Sequence, residues 1–486
     1  MADLPDSQRR QVLSGLAAAS IAGTALARAA GGGTHAPVET GLPQPHFARG
    51  SPGYEDARRH CAWDQATPSR FPDLIVRASS RDDVAEVLRY ARARGMTVAI
   101  KGSGHNYTST YLHDGGVLLD VSALKRVALD AAHQQVDAQP GITSSELAGF
   151  LAEHGRAFPT GHHGGVGLGG YLLGGGMGWN GESWGQFACF NVTSLEVVTA
   201  RGEALEVNAR SHPDLYWAAR GAGPLFCGVV TGFRLETYPA PIILSSQYSY
   251  PLASAVRIGR WLQSIANRRT PNLDLFALFL TENPSTAAGV RERRQTVLVY
   301  VLSYAKTPQE AQTVLQSIAR TAPPQDLIQR QEMAPVTFAE LYAESLTGPA
   351  RRTAADTAWT DNSVAATEVL AKHFETVPSA ATVGIINYRM PPSLPRGAAC
   401  SMAGSGFIQW LGQWDQPLED EANLAWVQEA ARRLEPYTIG AYVNESDIIR
   451  RPERLRRCFA PGVLERIRRV RNAYDPRGLF ALPTPA

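Results

Sequence analysis

The sequence predicts a two-domain α+β protein, on three observations. A chain of 486 residues exceeds what one hydrophobic core organises. Residues 74–107 read as a β-α-β unit ending in a glycine turn, and a second glycine-rich run follows at 161–178. From about residue 243 the texture changes to longer mixed helices and strands, as in a sheet covered by helices. The expected division is an export signal over 1–29, a linker over 30–65, a first domain over 66–242, a second over 243–436, and a C-terminal segment, 437–486, that returns to the first.

Composition narrows the function classes. Apolar residues make up 44% and charged residues 19%, the profile of a folded chain. Net charge is only +2, so no long-range field draws phosphate backbones or anionic lipid, and nucleic acid is excluded as a partner. The arginines between Arg451 and Arg471 read as a solvated helix face. Arg9-Arg10 precede the uncharged apolar run Leu16 to Leu26, which is too short to span a bilayer. This reads as a twin-arginine signal with a cleavage site near Ala27-Arg28-Ala29, so the mature protein is expected to be periplasmic or secreted and free of the membrane. Cys61, Cys189, Cys227, Cys400 and Cys458 show no CxxC spacing and read as structural, with room for one disulfide in an oxidising compartment.

Gly31-Gly32-Gly33 and scattered proline give 31–60 its linker character. Leu74-Ile75-Val76 is a short buried strand. Ser80 caps a helix whose Val84, Val87, Leu88 and Ala91 share one face, and Gly95 closes it. Strands follow at Thr97 to Ile100, Val117 to Val121, Ser194 to Ala200 and Gly228 to Leu235. In the second domain the pattern gives helices Ala253 to Ala266 and Pro308 to Ala319, and strands at Thr296 to Tyr304, Val383 to Met390 and Gly406 to Gly412. A helix from Asp420 to Leu434, a Tyr442-Val443-Asn444 strand, a basic helix and Asp475-Pro476 complete the chain.

Two glycine-rich stretches carry the chemistry. Neither fits GxGxxG after a first strand, and GxxxxGK[ST] is absent, which excludes a Rossmann fingerprint and a P-loop. The run Gly161 to Gly178 holds ten glycines in eighteen residues interleaved with Val166, Leu168, Tyr171, Leu172 and Leu173. Glycine among apolar residues indicates backbone packed against something flat or phosphorylated rather than a flexible linker. The first stretch, Lys101-Gly102-Ser103-Gly104-His105-Asn106-Tyr107, presents a histidine.

Together these motifs resemble the FAD-binding domain of the vanillyl-alcohol oxidase (PCMH-type) superfamily, most closely the berberine-bridge-enzyme-like oxidases. The similarity runs through Lys101-Gly102-Ser103-Gly104-His105, Val166-Gly167-Leu168-Gly169-Gly170 with Gly174-Gly175-Gly176, and Asp214 to Gly221. It resumes at Gly228-Val229-Val230-Thr231, Tyr442-Val443-Asn444 and Asp475-Pro476. The resemblance implies a two-part FAD-binding domain with an inserted α+β substrate domain. It implies FAD bonded covalently to His105, its pyrophosphate on the amides of the first turn, and Asn106, Gly167 to Gly176, Val229 and Asn444 around it. An alkylated imidazole withdraws electron density from the flavin, raising its potential.

Relatives often carry a second, cysteine tether where this chain has His163, so a single tether is expected, with His163 and His162 as a polar wall. Adjacent histidines rarely converge on one ion and no third ligand is spaced for one, so no metal is expected. By resemblance, Tyr107 and Tyr442 line the site, Gln409 lies on a strand that bears acids or amides in relatives, and Glu445 stands where an aromatic is frequent. Tyr107, Gln409, Tyr442 and Glu445 are therefore the catalytic candidates, and Tyr442 reads equally well as a core tyrosine. Met177 replaces a frequent tyrosine, and Val166 occupies a position where a small side chain admits oxygen. The expected function is oxidation of a small organic substrate (alcohol, sugar or amine) with molecular oxygen reduced to hydrogen peroxide. A dehydrogenase with another acceptor and a flavin-binding protein without turnover are the alternatives.

Overall fold

The computed structural model describes residues 42–282, 293–343, 351–395 and 397–483, so the expected signal peptide lies outside the described residues. Its first sheet has four strands in the order His46–Ala48, Leu74–Arg77, Val117–Asp120, Val98–Lys101. The last three run parallel, with Leu74–Arg77 and Val98–Lys101 both in register on Val117–Asp120. Parallel strands need a crossover, and helix Arg81–Ala93 supplies it. Ser80 accepts the Asp83 amide in a full capping box, and Val84, Val87, Leu88 and Ala91 are buried against the sheet.

The second sheet is antiparallel: Val127–Asp130, Gln135–Ala138, Val229–Glu236, Val192–Val198 and Ala204–Asn208. One hydrophobic core joins both sheets and takes in Ile467, Val470, Leu479 and Phe480 from the end of the chain. The Val98 amide donates to Leu479 O at 2.7 Å, which fastens that end to the first sheet.

The stretch expected to be a linker is partly built structure. His46–Ala48 pairs with Leu74–Arg77, and helix Tyr54–Cys61 buries Tyr54 and Cys61 beneath it. Its glycines serve turns: Gly50 and Gly53 have φ of 82° and 80°. Tyr442-Val443-Asn444 is likewise not a strand. The amides of Glu445 and Ser446 both turn back to Tyr442 O, at 3.1 and 2.9 Å, and close a turn.

The second domain is a seven-stranded antiparallel sheet ordered Gln329–Pro335, Ile242–Pro251, Arg294–Ala305, Leu273–Glu282, Val383–Tyr388, Gly406–Trp414, Arg352–Thr360. Helices Ala255–Ala266, Pro308–Ala319, Ser363–Phe374 and Asp420–Leu434 cover one face. Strand alternation assigns side chains to faces. Leu273, Leu275, Ala277 and Phe279 enter the helix-covered core, whereas Phe276 and Leu278 pack with Trp179 of the first domain. Likewise Ile408 and Trp410 face the helices, and Phe407, on the opposite face of the strand, packs with Met177, Phe187 and Tyr442. Gln409 shares that second face. No helix among the described residues is long and apolar enough to cross a membrane, and all five cysteines are free thiols.

Candidate active site

The two glycine runs are joined by one side chain. Ser103 Oγ accepts the Gly167 amide at 2.9 Å, and a Cβ on Gly167 would stand 2.8 Å from the Ser103 side chain. Further along, a Cβ on Gly174 would meet Asn444 Oδ1 at 1.8 Å. By contrast, a Cβ on Gly102 or Gly170 would have nothing within 4 Å. Gly169 packs on Pro140, while Gly175 and Gly176 turn with φ of 114° and 79°. The runs thus present backbone to open space on one side and press against side chains on the other.

Tyr442 organises the far end of this cradle. Its hydroxyl oxygen meets the amides of Gly176 and Met177, both at 3.1 Å, and Asn444 Nδ2 at 3.0 Å. These donors take up the acceptor capacity of that oxygen, and burial pushes its pKa well up, so Tyr442 ties the glycine run to Asn444. Asn444 spends its amide hydrogens on Tyr171 O and Tyr442. Asn106 bonds Asn444 O through Nδ2 at 3.2 Å and ties down Thr108 and Thr110 through Oδ1. The Lys101 ammonium is committed to Asp120 at 3.3 Å, Val229 is buried where its strand meets Val198, and Val166 packs over Gly161.

His105 lies at the other end. Trp63 stands over its ring at 4.5 Å, and His163 lies 4.6 Å away. Burial and then His163 lower its pKa to about 3, so it is a neutral imidazole, the form with a free lone pair for bond formation. Its Nε2 is buried without a partner. His163 Nδ1 accepts the Gly165 amide at 3.0 Å, which places its own proton on Nε2. His162 points elsewhere, between Trp179 at 4.5 Å and Phe276 at 5.7 Å, so only one of the adjacent histidines adjoins His105. Burial and Arg389 hold His162 neutral, at about 4.

The remaining candidates converge. Gln409 Nε2 donates to Glu445 Oε2 at 2.8 Å, and the Gln409 amide also bonds the Tyr107 hydroxyl. The Tyr107 ring lies 6.3 Å from His105 and 5.6 Å from Trp63. Burial alone raises the Glu445 carboxyl to about 7, while burial and Glu445 push Tyr107 far above the usual phenol range. A carboxyl poised near neutrality beside a neutral phenol is the arrangement of a general base and a hydrogen-bond donor.

Sequence reading missed Trp63, which sits in the stretch taken for a linker. It also missed the ions that clamp the domains across the site. Glu182 pairs with Arg269 at 2.5 Å and Arg389 at 3.4 Å, all nearly buried. These three come from unrelated stretches of sequence, and no local motif marks them.

The side-chain-free cradle, its amides and the unpartnered imidazole fit FAD. An FAD binding domain model matches residues 72–208. The chain is 26% identical over 429 residues to the FAD-linked oxidoreductase nodO of Hypoxylon pulicicidum, covering 87% of this chain and 93% of that one. Its fold is similar to 6-hydroxy-D-nicotine oxidase from Arthrobacter nicotinovorans, with TM-score 0.79 and 21% identity over 92% of this chain and 98% of that one. It is similar too to berberine bridge enzyme from Eschscholzia californica, with TM-score 0.76 and 17% identity over 91% and 96%. Fold and site together define an FAD-linked oxidoreductase. The chain carries an FAD binding domain over residues 72–208 and shares the fold of 6-hydroxy-D-nicotine oxidase and berberine bridge enzyme.

Proposed function

We propose that this protein is an exported oxidase that carries FAD on a single covalent bond to His105 and oxidises an alcohol, sugar or amine, releasing hydrogen peroxide. FAD, when bound, supplies the hydride acceptor and passes the electrons to oxygen. Lys101 to Asn106, Gly167 to Gly176 and Asn444 would hold it.

The observation that carries this reading is Glu445, a buried carboxyl fixed by Gln409 at 2.8 Å within the same hydrogen-bonded set as Tyr107. Gln409 spends an amide hydrogen on Glu445 and adjoins the Tyr107 hydroxyl, so phenol and carboxyl stand together where both can meet a substrate oxygen or nitrogen. Tyr107 therefore orients the substrate, and Glu445 takes the proton as the carbon–hydrogen bond is oxidised. The neutral state of His105 supports the tether, the absence of a cysteine at His163 supports a single bond, and Val166 supports access of oxygen. Arg9-Arg10 ahead of an apolar run support export after folding.

An absorption spectrum of the purified mature protein, repeated on the pellet after acid precipitation, tests the reading. A yellow pellet, with peroxide release from at least one member of a panel of alcohols, sugars and amines, is expected. Colourless protein would remove the flavoprotein reading, yellow supernatant would remove the tether, and turnover with an artificial acceptor but not oxygen would make it a dehydrogenase.

A further inference from the structure

The active-site tyrosine is shared with a second feature. Tyr107 also lines a cleft of about 1050 Å³ formed by both domains, with Arg70, His113, Arg352 and Arg450 among its walls. Most charges there are already matched. Arg352 donates from Nε and Nη2 to the two Asp420 oxygens, at 2.6 and 2.5 Å. Arg450 is bonded to Asp447 at 3.1 Å. Asp114 accepts the Phe71 amide, and Asp64 accepts the amides of Ala66 and Thr353.

Arg70 is the exception. It is 9% exposed, its Nη2 donates to Thr108 O at 2.7 Å, and its Nη1 is buried without a partner. No carboxylate among the described residues is in salt-bridge contact with it: Tyr111, Asp114 and Asp447 act on it only electrostatically, and Arg450 and His113 oppose its charge. A buried guanidinium with no carboxylate in contact is costly, and such groups are ordinarily paired directly. An anion entering the cleft would supply what the chain does not. A guanidinium offering free N–H groups best fits a small planar or tetrahedral oxyanion, a carboxylate or phosphate.

We infer that this cleft is an oxyanion site with Arg70 as its counter-charge, and that it holds the carboxylate or phosphate of the substrate. The inference rests on the oxidase reading above and gives it a substrate class. Arg70 grips the carbonyl of the residue next to Tyr107, so an anion on Arg70 lies close to the group that orients the reacting centre. The substrate is therefore an acid or phosphate ester bearing a nearby alcohol or amine, rather than a neutral molecule.

Thermal unfolding of the purified holoprotein with sodium benzoate, inorganic phosphate or neutral benzamide, at constant ionic strength, tests this. Benzoate is expected to raise the midpoint saturably and to perturb flavin absorption, with benzamide inert. Arg70→Gln should weaken benzoate by about tenfold or more, Arg70→Lys should restore part of the affinity, and Arg450→Gln should weaken it by a few-fold. Should Arg70→Gln not fold, the Lys and Arg450→Gln variants carry the comparison. Stabilisation by phosphate with no anion changing the flavin spectrum would overturn the substrate assignment in favour of a free anion. Benzoate failing to bind, or binding the Arg70 variants as tightly as the parent, would overturn the site altogether. Anion binding is read from unfolding and the tether from the acid pellet, so failure of one is distinguishable from failure of the other.

Discussion

The glycine cradle over 161–178 and the sheet of the second domain solve opposite problems with opposite means. The cradle works through what is missing: at Gly102 and Gly170 the space beyond the backbone is free, and at Gly174 a single added carbon would collide with Asn444. The sheet works through what is present, alternating its strands so that Phe279 and Trp410 fill a core while Phe276 and Gln409 face the first domain. A function held in backbone tolerates no side chains and leaves a dense local mark in the sequence. A function held in side chains on a large sheet is set by register between distant strands and leaves almost none.

The sharpest way to break this contrast is at the tether. His105→Ala should remove all acid-stable flavin, leaving a pellet without yellow colour while the folded protein still binds FAD reversibly in the cradle. Retention of flavin in the acid pellet would show that the cradle's histidine is not the attachment point. Next in size is the sheet-facing base. Glu445→Gln should lower the rate of flavin reduction by roughly 10²- to 10⁴-fold.

The pH profile sharpens that result. With its carboxyl raised to about 7 by burial, Glu445 becomes a base only as pH rises through that value, so parent activity should climb across it and the variant should lack that limb. Linkage gives the opposite sign for stability. A folded pKa above the ordinary 4.5 means stability present in full below that value and lost as pH climbs through about 7. Unfolding midpoints at pH 5 and 8.5 should therefore fall for the parent and change less for the variant.

Legibility in the sequence follows the same division. The capped helix at Ser80 and the helix from Pro308 to Ala319 are readable because capping and 3.6-residue periodicity are local. The strand Ile242–Pro251 and the strand Arg352–Thr360 are not, since their apolar runs acquire meaning only from partners at Arg294–Ala305 and Gly406–Trp414. The same reason hid Trp63, whose neighbours His105 and Tyr107 are some forty residues on. Glu445, Gln409 and Tyr107 were each readable as candidates by resemblance, but their proximity, and the bonds of Tyr442 to the glycine run, required three dimensions.

Two smaller substitutions test the contrast on stability. Phe279→Ala empties a fully buried site in the sheet's helix-covered core and should cost about 3–5 kcal/mol, measured by denaturant unfolding of the second domain. If the domains are as separable in role as their cores imply, flavin in the acid pellet should survive in whatever fraction stays folded. Gly174→Ala should cost less, about 1–3 kcal/mol, because the displaced atom is a side-chain oxygen that can shift rather than backbone. That shift would pull Asn444 off Tyr442 and loosen the Gly176 and Met177 amides it supports. Gly174→Ala should therefore weaken flavin retention more than its modest stability loss explains. Pairing it with Asn444→Ser, which vacates the space the new methyl needs, should recover stability without recovering retention. Recovery of both would mean that the glycine run serves packing, as the sheet does, and not the cofactor.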